Sequence, residues 1–70
     1  METLKALYDS EINFKLETFW DSGVDWELGD RLNGVKARGL ADSIDEAVEE
    51  LAAAARVHFP ASVFSRAVAG

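Results

Sequence analysis

The sequence predicts a small α+β domain in which a three-stranded antiparallel meander is covered on one face by a single main helix. Three observations support this: residues 12–20 alternate between apolar and polar, residues 24–28 resume the alternation, and residues 43–59 show helical spacing of apolar residues. The chain has 70 residues, 49% of them hydrophobic, which suits one folded domain. We therefore expect a single domain over residues 1–70, with its core at about residues 12–59.

The first two strands are predicted to form a hairpin. Asp21-Ser22-Gly23 supplies turn residues between the two alternating runs. If Trp20 pairs with Val24 across this turn, Leu16 faces Leu28 on the same side of the sheet. The inward face would then hold both tryptophans and Phe14, leaving Phe19 outward. The inward residues of this hairpin are Ile12, Phe14, Leu16, Thr18, Trp20, Val24, Trp26 and Leu28.

A third strand is predicted after the Asn33-Gly34 turn. Its inward residues are small, which allows a helix to approach the sheet closely: Val35, Ala37, Gly39 and Ala41. On the outward face, Glu27 is expected opposite Lys36 and Asp25 opposite Arg38, as oppositely charged cross-strand pairs. These pairs place the second strand in the centre of the sheet.

The main helix is predicted to begin after Ser43 and to end at about Phe59, before Pro60. Ser43 and Glu46 have the spacing of a capping box, in which the serine accepts a backbone N–H and the glutamate reaches back. The inward stripe consists of Ile44, Ala47, Val48, Leu51, Ala55 and His58. We interpret His58, the one histidine of the chain, as a partly buried packing residue.

Short terminal helices are expected on both sides of this unit. Leu4, Leu7 and Tyr8 have helical spacing, and a second short helix is predicted from Val63 and Phe64 through Val68. Together with the free edges of strands one and three, the exposed apolar candidates for self-association are Leu7, Tyr8, Val63 and Phe64.

The charge balance argues against nucleic acid as a partner. The formal net charge is −6, and the seven Lys and Arg residues are scattered through the sequence. Phosphate backbones attract basic surfaces, so a basic protein partner is electrostatically more natural. We expect no nucleic-acid partner and no membrane partner. The lack of cysteine, of an export signal and of a long apolar run favours a cytoplasmic location.

No motif for catalysis, cofactor binding or metal binding stands out, so we expect the protein not to be an enzyme and to need no cofactor. Glu46, Glu49 and Glu50 resemble a carboxylate cluster, but capping explains Glu46 and an amphipathic helix places the other two on its solvent face. If they have a function beyond solubility, we expect these three glutamates to bind a basic partner.

The segment from Gly34 to Leu51 resembles HicB-like antitoxin domains. The closest match is Asp42-Ser43-Ile44-Asp45-Glu46-Ala47-Val48, where that family has Asp-Thr/Ser, an apolar residue, two acids and alanine. The family usually places glycine directly before this motif, whereas Leu40 and Ala41 follow Gly39 here. The residues after Pro60 are too few for the DNA-binding segment of many members. The resemblance therefore implies a stand-alone domain that binds a protein partner.

Four hypotheses about function follow. The leading one is a cytoplasmic protein-interaction module, and another is a protein that acts as a homodimer in a role the sequence does not indicate. A third is a nucleic-acid-associated module, since double-stranded-RNA-binding domains have the same element order preceded by a helix. Those domains need a basic start to their second helix, where this chain has Asp42 to Glu46. The fourth, an enzyme or ligand binder, requires a polar pocket that the sequence does not predict.

Overall fold

A computed structural model of the chain, which describes residues 2–64, has two helices and three strands. The elements are α1 (Glu2–Asp9), β1 (Phe14–Phe19), β2 (Gly23–Asp30), β3 (Gly34–Ala41) and α2 (Ile44–His58). The strands form one antiparallel sheet in the order β1-β2-β3. The α+β fold class, with a meander and a main helix packed on it, is confirmed.

The core lies between the sheet and the helices. Leu28 of β2 and Leu51 of α2 are fully buried, as the predicted inward faces require. Leu7 of α1 is also fully buried and Phe64 nearly so, which extends the core beyond the predicted residues 12–59. Both had been expected to be exposed, whereas Tyr8 and Val63 are exposed as predicted. The short helix predicted after Pro60 falls largely outside the described residues.

Helix α1 ends in a hydrogen-bonded cap that has no glycine. The N–H of Ile12 donates to the carbonyl of Leu7 and that of Glu11 to the carbonyl of Tyr8, which is the pairing of a Schellman motif. The cap places Glu11 at φ 63, in the left-handed region that glycine usually occupies. Ile12 and Leu7 are both buried, so the apolar contact typical of this motif anchors α1 to the sheet.

The register of the β1–β2 hairpin differs from the predicted one by two residues. Leu16 faces Trp26 and Phe14 faces Leu28, so the inward and outward faces are as expected but Leu16 does not face Leu28. The strand ends at Phe19, which pairs with Gly23, and Trp20 begins the turn. Trp20 is therefore 98% exposed, and its predicted place in the core is wrong.

The pairing of β2 with β3 differs from the predicted register by two residues, and a β-bulge accounts for one of them. Between the pairs Leu28–Ala37 and Gly29–Val35, Lys36 is the extra residue. The other residue arises at the turn, where Asp30 pairs with Gly34 instead of Asn33. Both predicted charge pairs are therefore wrong: Glu27 lies opposite Arg38 instead of Lys36, and Asp25 lies opposite Leu40 instead of Arg38.

The β2–β3 turn is held by the side chain of Asp30. Its carboxylate accepts the backbone N–H of Asn33 at 2.6 Å and also the side-chain amides of Asn33 and Asn13. The hydrogen bonds from Asn33 come first among the causes that lower the pKa of Asp30 below its ordinary value. This arrangement joins the start of β1 to the turn.

Helix α2 begins as predicted. The backbone N–H of Glu46 donates to Ser43 Oγ at 3.2 Å, and the Glu46 carboxylate accepts the N–H of Asp42 at 3.4 Å. The buried residues of α2 are Ala47, Val48, Leu51, Ala52 and Ala55. Ile44 and His58 lie at the same helical angle as this stripe but occupy the first and last positions of α2. Both are exposed, so His58 is not the partly buried packing residue that we expected.

Candidate functional site

The three predicted partner-binding glutamates on α2 have different environments. Glu46 is engaged in the helix cap described above. Glu50 accepts the indole N–H of Trp26 at 3.0 Å, because it lies at the border between the exposed and buried faces of α2. Glu49 is exposed, and the structure assigns it no intramolecular hydrogen bond. The structure thus places the three on one helix but leaves only Glu49 with its side chain uncommitted.

Exposed apolar side chains border a cleft at the end of the sheet where β1 turns into β2 and α2 begins. Its volume is about 350 Å³. Trp20 is 98% exposed, Ile44 48% and Phe19 42%. The cleft is lined by residues that include Phe19, Trp20, Gly23, Asp42, Ser43 and Ile44. We refer to it as the apolar cleft.

The backbone of the β1–β2 turn creates this cleft. The N–H of Ser22 donates to the carbonyl of Phe19 at 2.9 Å, and Gly23 follows with a φ of +114°. A Cβ atom on Gly23 would lie 2.5 Å from the carbonyl oxygen of Ala41, so no other residue fits there without displacing β3. Glycine therefore allows the turn to lie close to the last residue of β3 and to the start of α2.

The surroundings of the apolar cleft are acidic. No Lys or Arg occurs between Lys15 and Arg31, or between Arg38 and Arg56, and the turn and the helix start both lie within these stretches. They carry Asp21, Asp42, Asp45 and Glu46 instead. We call the apolar cleft together with these four carboxylates the acidic end.

Sequence reasoning missed the apolar cleft because it placed Trp20 and Ile44 in the core. One signal was present: each of these large apolar residues adjoins a turn or cap motif, where periodicity is a poor guide to burial.

The open face of the sheet, opposite the helices, carries both signs of charge. A second cleft of about 330 Å³ is lined there by Lys15, Glu17, Asp25, Glu27, Arg38 and Leu40, among others. Lys15 lies opposite Glu27, which also lies opposite Arg38, whereas Glu17 lies directly opposite Asp25. This face does not present the continuous positive potential that attracts phosphate groups.

Metal binding and membrane crossing can both be checked against the residues that the structure describes. Within residues 2–64, no three His, Asp or Glu side chains come together in a way that would hold a metal ion. In the same range, no helix combines the length and the apolar character that crossing a bilayer requires.

Comparison of the chain with protein-family models, with curated proteins and with solved structures gives no match.

Proposed function

We propose that this protein is a small interaction module that binds a basic protein partner through its acidic end. The observation that carries the proposal is the apolar cleft with Trp20 exposed beside it, formed by stretches of the chain that carry carboxylates and no Lys or Arg. Tryptophan is among the residues that contribute most to binding when a partner covers it. Carboxylates at the rim accelerate association with a basic surface and make it sensitive to salt.

The HicB-like resemblance supports the same proposal. Its most specific residues, Asp42 to Glu46, form the cap of α2 and also contribute Ile44 to the apolar cleft. A binding domain of that kind, located in the cytoplasm, would recognise a protein partner. A small basic protein encoded next to this chain is the partner we would test first.

The proposal is tested by affinity capture with quantitative mass spectrometry, followed by binding kinetics with the captured protein. Trp20→Ser removes the exposed indole, and Leu32→Ser is the matched control because Leu32 is 92% exposed at the opposite turn. We expect the partner to be basic and its affinity to fall about 30-fold or more with Trp20→Ser, which corresponds to ~2 kcal/mol. The control is expected to bind like the wild type.

The charge contribution is tested separately with Asp45→Asn in the acidic end and Glu49→Gln one helical turn after Glu46, leaving Glu50 to hold the Trp26 indole. We expect slower association and a weaker dependence of the rate on salt, with little change in dissociation. Wild-type kinetics in both sets of variants would refute the proposal.

A nucleic-acid-associated module is the second candidate, because the observed order α1-β1-β2-β3-α2 is that of double-stranded-RNA-binding domains. The acidic start of α2 opposes it. Filter binding of double-stranded RNA at low salt decides between the two: we expect no retention. Saturable retention would favour the second candidate over the first.

A further inference from the structure

Strand β1 is a free edge of the sheet, since β2 pairs with it on one side and none of residues 2–64 forms a strand on the other. It has no proline and no bulge in its pairing with β2. An edge of this kind offers a row of backbone N–H and C=O groups to another strand.

The backbone groups that face outward can be assigned. The carbonyl of Asn13 accepts the N–H of Gly29 at 2.7 Å, which shows that Asn13 directs its backbone toward β2. Backbone direction alternates along an antiparallel strand. Phe14, Leu16 and Thr18 therefore direct their N–H and C=O groups toward the free edge.

One charged residue of β1 has an unfavourable cross-strand neighbour within a single copy of the chain. Glu17 lies directly opposite Asp25, and like charges at such positions are destabilising. Lys15, two residues earlier on the same open face, lies opposite Glu27. Strand β1 thus carries one positive and one negative charge, placed symmetrically about Leu16.

We propose that a second copy of this chain pairs with β1 through its own β1, antiparallel and centred on Leu16, to give a continuous six-stranded sheet. In this register Lys15 of each copy lies opposite Glu17 of the other, and each Glu17 gains a positive neighbour beside Asp25. Leu16 meets its own counterpart on the helix-covered face, where it is only half-buried in the single chain. The association is two-fold symmetric and closes at two copies.

The two nearest registers that keep the same faces together are disfavoured by the same charges. Centring the pair on Lys15 or on Glu17 places identical charges opposite each other. A shift by a single residue would set the apolar face of one strand beside the polar face of the other.

The second free edge does not offer an equivalent site. On β3, Lys36 and Arg38 flank Ala37 as Lys15 and Glu17 flank Leu16, but both are positive. Antiparallel pairing of β3 with itself about Ala37 would therefore bring positive charges together. The bulge at Lys36 further interrupts the regularity of this strand. The charge pattern thus selects β1.

Charge reversal on β1 provides the test, with sedimentation equilibrium from micromolar to millimolar protein at low salt. Glu17→Lys leaves two positive residues on β1 while removing the repulsion from Asp25, so the fold is preserved. Lys15→Glu leaves two negative residues. We expect the wild type to dimerise and each variant alone to dissociate with a constant raised roughly tenfold or more. An equimolar mixture of the two variants should restore a one-to-one dimer.

The surface involved is identified by NMR, with ¹⁵N-labelled Glu17→Lys titrated by unlabelled Lys15→Glu. We expect shifts at the amides of β1 and not at those of β3. Glu49→Lys and Lys36→Glu carry the same charge changes elsewhere and should dimerise like the wild type.

Thr18→Pro removes an N–H that points to the free edge of β1 and leaves the hydrogen bonds between β1 and β2 unchanged, so it should weaken the dimer. A wild type that stays monomeric at millimolar concentration, or a mixture that does not associate, would overturn the proposal.

Discussion

Gly39 on β3 makes room for the Trp26 indole between the sheet and α2. The two residues are direct cross-strand partners. A Cβ atom on Gly39 would lie 2.6 Å from Nε1 and 2.7 Å from Cε2 and Cζ2 of Trp26. Ordinary contacts begin at 3.4 Å, so the rigid indole would have to move by most of an ångström. It is buried and bound to Glu50, which leaves no easy direction for that movement.

Gly39→Ala should therefore destabilise the protein. Overpacking costs about 1–3 kcal/mol, and losing the indole hydrogen bond adds about 1 kcal/mol. The lower backbone entropy of alanine in the unfolded chain offsets about 0.5–1 kcal/mol, since the φ of Gly39 is not in the left-handed region. We expect a net loss of roughly 1–3 kcal/mol in the free energy of unfolding, a large share for a chain of this size.

The assay is urea denaturation followed by circular dichroism, arranged as a double-mutant cycle with Trp26→Phe. Phenylalanine is smaller than tryptophan and lacks both the indole N–H and the outer benzo atoms such as Cζ2, so Gly39→Ala should cost markedly less in that background. We expect a coupling free energy of at least about 1 kcal/mol between the two positions. Equal effects of Gly39→Ala in both backgrounds would refute the reasoning that the indole fills the space above Gly39.

Four further predictions concern stability. Trp26→Ala should lower the free energy of unfolding by ~3–5 kcal/mol in urea denaturation, whereas Trp20→Ala should change it by less than about 0.5 kcal/mol. Ser43→Ala removes the helix cap and should cost about 1 kcal/mol in the same assay, with an unchanged native spectrum. Glu11→Gly should raise the melting temperature, because glycine relieves a left-handed backbone that costs about 1 kcal/mol. The hydrogen bonds in the β2–β3 turn lower the pKa of Asp30 in the folded protein. Their contribution to the free energy of unfolding is therefore fully present above the unfolded pKa of about 3.9 and is lost as the pH falls through the folded pKa. NMR titration of the Asp30 carboxyl checks that its folded pKa lies below the unfolded value. Thermal melts of Asp30→Asn at several pH values check the link to stability, since the melting temperature of this variant should fall less at acidic pH than that of the wild type.

Much of the fold could be predicted because the local signals were independent and agreed. Period-two alternation identified the inward faces of all three strands, and it survived a two-residue error in register because the side-chain period is also two. The Ser43 cap identified the start of α2 within one residue, since both partners of the capping box lie within one turn of sequence.

What could not be predicted depends on contacts between distant residues. The alternation of β1 continues through Trp20, so nothing local indicates that the strand ends at Phe19. It ends there because Gly23 lies against Ala41, which fixes the turn one residue earlier than the sequence suggests. The left-handed Glu11 likewise has no glycine to mark it. The bulge at Lys36 does have a local signal that was not used, since Gly29 at the register shift has a φ of +100°.

Glu50 illustrates how a more complete argument from the sequence would have changed the candidate site. A buried tryptophan needs an acceptor for its indole N–H. With Trp26 predicted beneath α2, that acceptor had to come from a long polar side chain at the border of the helix, and Glu50 satisfies this requirement at 3.0 Å. Removing it from the set of partner-binding residues leaves an acidic surface that begins at the cap and runs along Glu46 and Glu49. That surface adjoins the exposed Trp20 and Ile44, so charge and apolar area are combined at one end of the molecule, which is the combination that a basic partner with an apolar anchor would recognise.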